Sequence, residues 1–179
     1  LTSDHGEEFM EHGDLGHHCK LYDELLHVPM IFAGPNLPSK KIMCQVSHLD
    51  LAPTILDLVG VKSDTSFLGH SLIPHISSSL NHDESVISEY RYQDERGYSY
   101  RTKDWKYIAT FPKPFEDSNQ QEQLYNLRND PEEQMNVAEE NRNITREFFD
   151  LIIKHINMER KSSEPATEKE ELERILKRL

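Results

Sequence analysis

The sequence predicts an α/β chain in which a helix-flanked, mostly parallel sheet is followed by a small antiparallel sheet with a C-terminal helix. Three observations carry this. Residues 28–33 (Val-Pro-Met-Ile-Phe-Ala) form a short apolar run stopped by Gly34-Pro35, the pattern of a strand buried on both faces. From residue 86 onward apolar and polar residues alternate, with aromatics and turn formers between them, as in antiparallel strands. Phe148, Phe149, Ile152, Ile153 and Ile156 then recur at the spacing of a helix.

The elements follow in order. Residues 1–20 read as a long loop, because glycines at 6, 13 and 16 interrupt any helical period. Four of the ten histidines (His5, His12, His17, His18) fall there among Asp4, Glu7, Glu8, Glu11 and Asp14, and loops on a rigid scaffold are where binding residues concentrate. Residues 20–27 read as a short helix with Leu21, Leu25 and Val28 on one face. Ser47 or Asp50 caps a second helix reaching about Val59, with Pro53 in its first turn, Gly60 as its stop and a buried stripe of Leu51, Ile55, Leu58 and Val59. Residues 86–92 and 97–110 form antiparallel strands around a turn at 102–104, and 124–127 add a short strand ended by Asn129-Asp130-Pro131. A helix follows from Thr145. Ser, Glu and Pro make 162–167 a linker, after which Leu172, Ile175, Leu176 and Leu179 mark a terminal amphipathic helix. The expected units are 1–82, 83–161 and 162–179, the first boundary falling near residues 80 to 86.

Composition excludes several partners. Twenty basic residues against 32 acidic give a net charge of −12 over 179 residues, which is unsuited to tracking a phosphate backbone, so nucleic acid is not expected as a partner. No apolar run approaches the ~20 residues of a membrane-spanning helix, so no membrane partner is expected either. Cys19 and Cys44 are too few for a disulfide framework, and a lone Cys19 without a second at short spacing is not a zinc ligand. The start at Leu1 reads as a cut end of a longer chain.

Thr2-Ser3-Asp4-His5-Gly6-Glu7 is the stretch richest in chemistry. A carboxylate beside an imidazole, followed by a glycine that lets the backbone approach closely, suits a divalent cation at a strand end; a capped, solvated loop is the competing reading. His48 and His70 read as structural, and Arg101, Trp105 and Tyr107 as strand packing. Asn143-Ile144-Thr145 matters as a glycosylation sequon only in an exported chain.

The run Thr2-Ser3-Asp4-His5-Gly6-Glu7-Glu8, then Glu11-His12-Gly13, Gly16-His17 and Leu21-Tyr22-Asp23-Glu24-Leu25-Leu26-His27-Val28-Pro29, resembles the sulfatase family of alkaline-phosphatase-like metalloenzymes. The resemblance continues in order through Ser47-His48-Leu49-Asp50-Leu51-Ala52-Pro53-Thr54-Ile55-Leu56 and Gly69-His70-Ser71-Leu72. It then takes in Tyr100-Arg101-Thr102, Trp105-Lys106-Tyr107-Ile108, Leu124-Tyr125-Asn126-Leu127, Asp130-Pro131-Glu132-Glu133 and Asn136. The resemblance implies that Asp4 and His5 are one pair of metal ligands, for calcium, magnesium or manganese. It implies that His17 acts catalytically at the ester or leaving-group oxygen. His18 or Lys20 shares substrate binding, because the register across 16–20 is ambiguous by a residue.

The family's nucleophile lies in a Cys/Ser-x-Pro-x-Arg segment whose first residue becomes formylglycine. Cys19 precedes Lys20-Leu21-Tyr22-Asp23 and Cys44 precedes Gln45-Val46-Ser47-His48, so neither fits, and the formylglycine is expected upstream. The chain therefore resembles the later part of the sulfatase α/β domain followed by its small antiparallel subdomain. The implied activity is metal-dependent hydrolysis of a small-molecule or carbohydrate sulfate ester. Two alternatives stay open: a phosphodiester or phosphonate monoester hydrolase on the same scaffold, and a truncated, non-catalytic remnant. An interrupted parallel sheet would expose a strand edge, predicting homo-oligomers.

Overall fold

The computed structural model describes residues 1–62, 66–77, 84–93, 95–112 and 121–163, with Pro112 and the last five by backbone alone. A four-stranded antiparallel meander organises the molecule. Strands β3 (Val86–Tyr92), β4 (Glu95–Arg101), β5 (Trp105–Pro112) and β6 (Gln121–Asn126) lie in sequence order, with Tyr98 opposite Ala109 and Lys106 opposite Tyr125. The β4–β5 turn falls where the sequence places it: the Thr102 amide donates to the Trp105 carbonyl at 2.8 Å, and the Trp105 amide to Thr102 Oγ1 at 3.0 Å.

Side-chain alternation along β5 sorts the sheet into two buried faces. Tyr107, Ala109 and Phe111 turn toward helix α4 (Arg142–Ser163) and meet Phe148, Ile152 and Ile156. Those three helical residues, each four apart, are the stripe read from the sequence, and each buried side chain stabilises by about 1.5–3 kcal/mol. Ile108 points the other way, with Tyr125, and packs against Leu21, Tyr22 and Leu26 of the N-terminal segment. That segment contains the short helix α1 (Asp23–Leu26).

Two further strands, β1 (Glu8–Phe9) and β2 (Leu15–Gly16), pair antiparallel in the loop of residues 1–20. After α1, a 3₁₀ turn at His48–Asp50 leads into α2 (Leu51–Leu58), and α3 (Ile73–Ser77) follows. Ser47 and Asp50 cap together: Ser47 Oγ accepts from the Leu49 amide at 3.2 Å, and Asp50 Oδ2 accepts from the Ser47 amide at 2.8 Å.

The α/β class, the antiparallel sheet and its helix stand as read from the sequence; two finer expectations differ. Residues 28–33 make an isolated antiparallel bridge, Thr2 to Met30, with Ile31 55% exposed, and every strand pairing among the described residues is antiparallel. The apolar run is there, but no parallel neighbour among the described residues takes up its hydrogen bonds. In α2, Ile55 and Val59 are exposed, and the fully buried residue is Thr54. Its hydroxyl donates to the Asp50 carbonyl at 2.6 Å and accepts from the Leu72 amide at 2.8 Å. A polar residue holds that face because its hydroxyl accepts from the Leu72 amide, which would otherwise be buried unpaired. The helix start also moves, from Thr145 back to Arg142. The expected terminal helix around 172–179 lies outside the described residues, as does most of the linker. No helix among the described residues is long and apolar enough to cross a membrane.

Candidate functional site

The Thr2–Met30 bridge delivers Asp4 and His5 to the surface. Gly6 then turns the chain close against α1: its amide donates to the Leu25 carbonyl at 2.8 Å, and a Cβ there would meet the Glu24 carbonyl oxygen at 1.9 Å. Only glycine allows that approach. Ser3 Oγ donates to the His5 carbonyl at 2.6 Å, and the His5 amide to Asp4 Oδ1 at 3.1 Å. That amide bond, then Asp4's own amide and the His5 charge, hold the Asp4 carboxyl below the usual carboxylate range.

The His5 ring is oriented by the backbone beside it. Its Nδ1 lies 2.8 Å from the Gly6 carbonyl oxygen, an acceptor only, so Nδ1 donates there and Nε2 is the nitrogen left for another partner. Nε2 lies 3.7 Å from Asp4 Oδ2, and the two side chains are 43% and 87% exposed. The donor set fits one side of a divalent-cation shell. The His17 ring stacks on His5 with centroids 4.3 Å apart, and its Nδ1 lies 3.2 Å from Glu7 Oε1. His5 thus lies between the Asp4 carboxylate and the His17 ring. His18 stands further along the rim, with Nε2 4.0 Å from Asp14 Oδ1.

Lys20 is committed elsewhere. Its ammonium donates to both oxygens of the fully buried Glu8 at 2.9 Å and to the His12 carbonyl at 3.1 Å, and lies 3.4 Å from Asp14 Oδ2. Glu8 also accepts from the His12 amide at 3.1 Å and the Asp14 amide at 2.9 Å. This carboxylate–ammonium pair ties the β1–β2 loop into one body. His12 stacks on Tyr22 at 3.6 Å between ring centroids and reaches Glu24 through Nδ1 at 2.6 Å and the Glu133 carbonyl through Nε2 at 3.0 Å.

Beneath the site, α1 is locked to the sheet by charge. Asp23 accepts from Arg101 Nη2 at 2.7 Å and from the fully buried Lys106 Nζ at 2.8 Å. Lys106 also lies 2.8 Å from Oε1 of Glu133, and the Asp23 amide donates to Glu133 Oε2 at 2.7 Å. Burial alone would raise the Asp23 carboxyl, but the Arg101 hydrogen bonds and the Lys106 and Arg101 charges bring it down to about 2. Burial dominates at Glu133 and pushes it up, with Lys106 opposing and Asp23 reinforcing.

Sequence reasoning missed Glu7, Glu8, Lys106 and Glu133. A lysine inside Trp105-Lys106-Tyr107-Ile108-Ala109 was the available signal for a buried ion pair. Glu7 and Glu8 carry no signal until the β1–β2 register is known.

A family model described as "N-sulphoglucosamine sulphohydrolase, C-terminal" matches residues 11–161. Arylsulfatase K of Xenopus laevis is 35% identical over 151 residues, covering 77% of this chain and 27% of that protein. The human arylsulfatase K is 32% identical over 148 residues, with 76% and 27% covered. A Delta 4,5-hexuronate-2-O-sulfatase of Bacteroides thetaiotaomicron is 32% identical over 152 residues, with 78% and 30% covered. The chain thus spans less than a third of the length of these relatives. Among solved structures, one in complex with its substrate D-glucosamine-2-N,6-O-disulfate superposes with a TM-score of 0.67 at 24% identity, covering 90% of this chain and 34% of that one. The phosphonate monoester hydrolase of Agrobacterium radiobacter gives a TM-score of 0.70 at 22% identity, with 86% and 33% covered. At these identities the structural likeness speaks for the fold.

Proposed function

The chain belongs to the N-sulphoglucosamine sulphohydrolase C-terminal family, and from that membership we propose that it serves metal-dependent hydrolysis of a sulfate ester, contributing Asp4 and His5 to a divalent-cation site and His17 to the substrate side of it. The observation that carries this is His5 set between two partners: an exposed Asp4 carboxylate 3.7 Å from its Nε2, and the His17 ring stacked on it. A bound cation would neutralise charge on the group being transferred. Calcium, magnesium and manganese all accept such a carboxylate, and the imidazole inclines the pair toward manganese.

Asp4 is oriented by the His5 amide and Ser3, and His5 by the Gly6 carbonyl. His17, steadied by Glu7, is placed to hold a proton for the departing alcohol oxygen. His18 shares the substrate rim. We assign Lys20 to holding Glu8, since its donors are already directed at Glu8, Asp14 and the His12 carbonyl.

These 179 residues contain no Cys/Ser-x-Pro-x-Arg segment, so the residues present do not fit a formylglycine nucleophile, which other sequence would have to supply. The names of the family and of the hexuronate-2-O-sulfatase relative favour a carbohydrate sulfate as substrate.

The test is calorimetric titration of the purified chain with Ca²⁺, Mg²⁺ and Mn²⁺, paired with turnover of 4-nitrophenyl sulfate, with Asp4→Ala as control. Saturable binding at about millimolar concentration that Asp4→Ala removes, without turnover above that control, is the expected result. Cation binding indifferent to Asp4 would overturn the ligand assignment. Turnover that depends on Asp4 would show that the chain holds its own nucleophile.

A further inference from the structure

We infer that His5, Glu7 and His17 form a binding site for a borderline transition-metal ion such as Zn²⁺ or Co²⁺, with a donor set different from the Asp4–His5 pair. The hairpin register builds it. Glu8 pairs with Gly16 and Phe9 with Leu15, and one step further along the same register sets Glu7 opposite His17. Their side chains meet there, His17 Nδ1 lying 3.2 Å from Glu7 Oε1. His5 precedes Glu7 by two residues, the interval that returns an extended chain to the same face, and its ring stacks on His17.

One ligand atom from each residue falls within 4.8 Å of the other two. Bonds of about 2.0–2.2 Å to a shared ion need the donors somewhat closer. Small rotations supply that, since the side chains of His5, His17 and Glu7 are 43%, 60% and 42% exposed. The backbone under them is less free: the Gly6 amide is bonded to Leu25, and Lys20 and Glu8 brace the hairpin.

The Gly6 carbonyl already holds the proton of His5 on Nδ1, the arrangement that orients a metal-binding imidazole. Two imidazoles and one carboxylate suit zinc or cobalt better than calcium, and three protein ligands leave a coordination position open.

The inference rests on this geometry alone. One consequence rests on the proposed function as well: a His17 that ligates an ion cannot also hold a proton for a leaving group, so such an ion would compete with the sulfatase role.

The experiment titrates the 179-residue chain with Zn²⁺ by calorimetry and with Co²⁺ by visible absorption, alongside Glu7→Gln, His17→Ala and Asp4→Asn. We expect Glu7→Gln and His17→Ala each to weaken binding about tenfold or more, and Asp4→Asn by less than about threefold. An unchanged melting temperature in each variant confirms folding, and His17→Gln stands in should His17→Ala melt early. Binding that survives both Glu7→Gln and His17→Ala, or no saturable binding up to about 1 mM, overturns the site. Loss in Asp4→Asn equal to that in His17→Ala also overturns it, by assigning the ion to the Asp4–His5 pair. Ca²⁺ and Mn²⁺ titrations of Asp4→Asn test the proposed function separately.

Discussion

Lys106→Met removes the ammonium that Asp23 and Glu133 share beneath the site, while keeping most of the stem that packs in the sheet. Lys106 and Glu133 are fully buried and Asp23 is 16% exposed, with both oxygen contacts at 2.8 Å. The pair itself adds modest stability, because desolvation offsets most of the attraction. Breaking it from one side is another matter: two carboxylates then face each other out of water, with Arg101 able to serve only Asp23. A loss of roughly 3–5 kcal/mol follows. At about 2–4 °C per kcal/mol for a chain of this size, melting should fall by roughly 6–20 °C.

The pH dependence has a definite sign. Burial raises the folded-state Glu133 carboxyl above its ordinary value of 4.5, and removing Lys106 removes the main opposing effect. A raised folded-state value penalises folding as pH rises through 4.5, and the penalty vanishes below it. The gap between variant and wild type should therefore narrow as pH falls from about 7 to about 4.5. Adding Glu133→Gln to Lys106→Met should restore stability relative to the single variant. Urea and thermal denaturation at both pH values provide the measurement. A single variant within about 1 kcal/mol of wild type at pH 7 would mean the buried pair is solvated, and the reasoning would fail.

Ile152→Ala, at the centre of the α4 stripe, should cost about 2–5 kcal/mol in urea denaturation. Asp23, held to about 2 against 3.8 unfolded, should contribute about 2 kcal/mol that is fully present above pH 3.8 and lost as pH falls toward 2. In acid denaturation Asp23→Asn should flatten that part of the stability curve. Gly6→Ala forces a methyl to within 1.9 Å of the Glu24 carbonyl oxygen, so α1 or the Asp4–His5 segment must shift. The expected loss is about 1–3 kcal/mol, accompanied by weaker Mn²⁺ binding.

What the sequence disclosed depended on how local the determinant was. The 102–104 turn, the Ser47–Asp50 cap and the spacing of Phe148, Ile152 and Ile156 are set by neighbours a few residues apart, and the sequence shows them directly. Asp4, His5 and His17 were legible as residue types in a glycine-broken loop. Their arrangement around His5 was not, because it depends on the pairing of β1 with β2 and on the approach of Gly6 to α1. The exposed stripe of α2 shows the opposite failure: Ile55 and Val59 satisfy a helical pattern whose apolar partner is absent among the described residues. The run at 28–33 is similar, since a strand is completed by a neighbour and not by its own composition. The partners of Glu8, Lys106 and Glu133 lie 12 or more residues away along the chain, so only the fold brings each its counter-ion.

The sheet, covered by α4 on one side and by the Leu21–Leu26 region on the other, has a consequence for how affinities of this chain are interpreted. The segment that presents the proposed ligands Asp4 and His5 is held in place by a layer whose own stability derives from helix α4. If the proposed site binds an ion, a substitution in α4 that touches neither residue will register as weaker binding, simply because fewer molecules are competent. With about half the population folded, the apparent dissociation constant rises about twofold while the intrinsic one is unchanged. The same coupling runs in reverse: an ion bound at the loop draws the population toward the folded state and raises the resistance of α4 to unfolding.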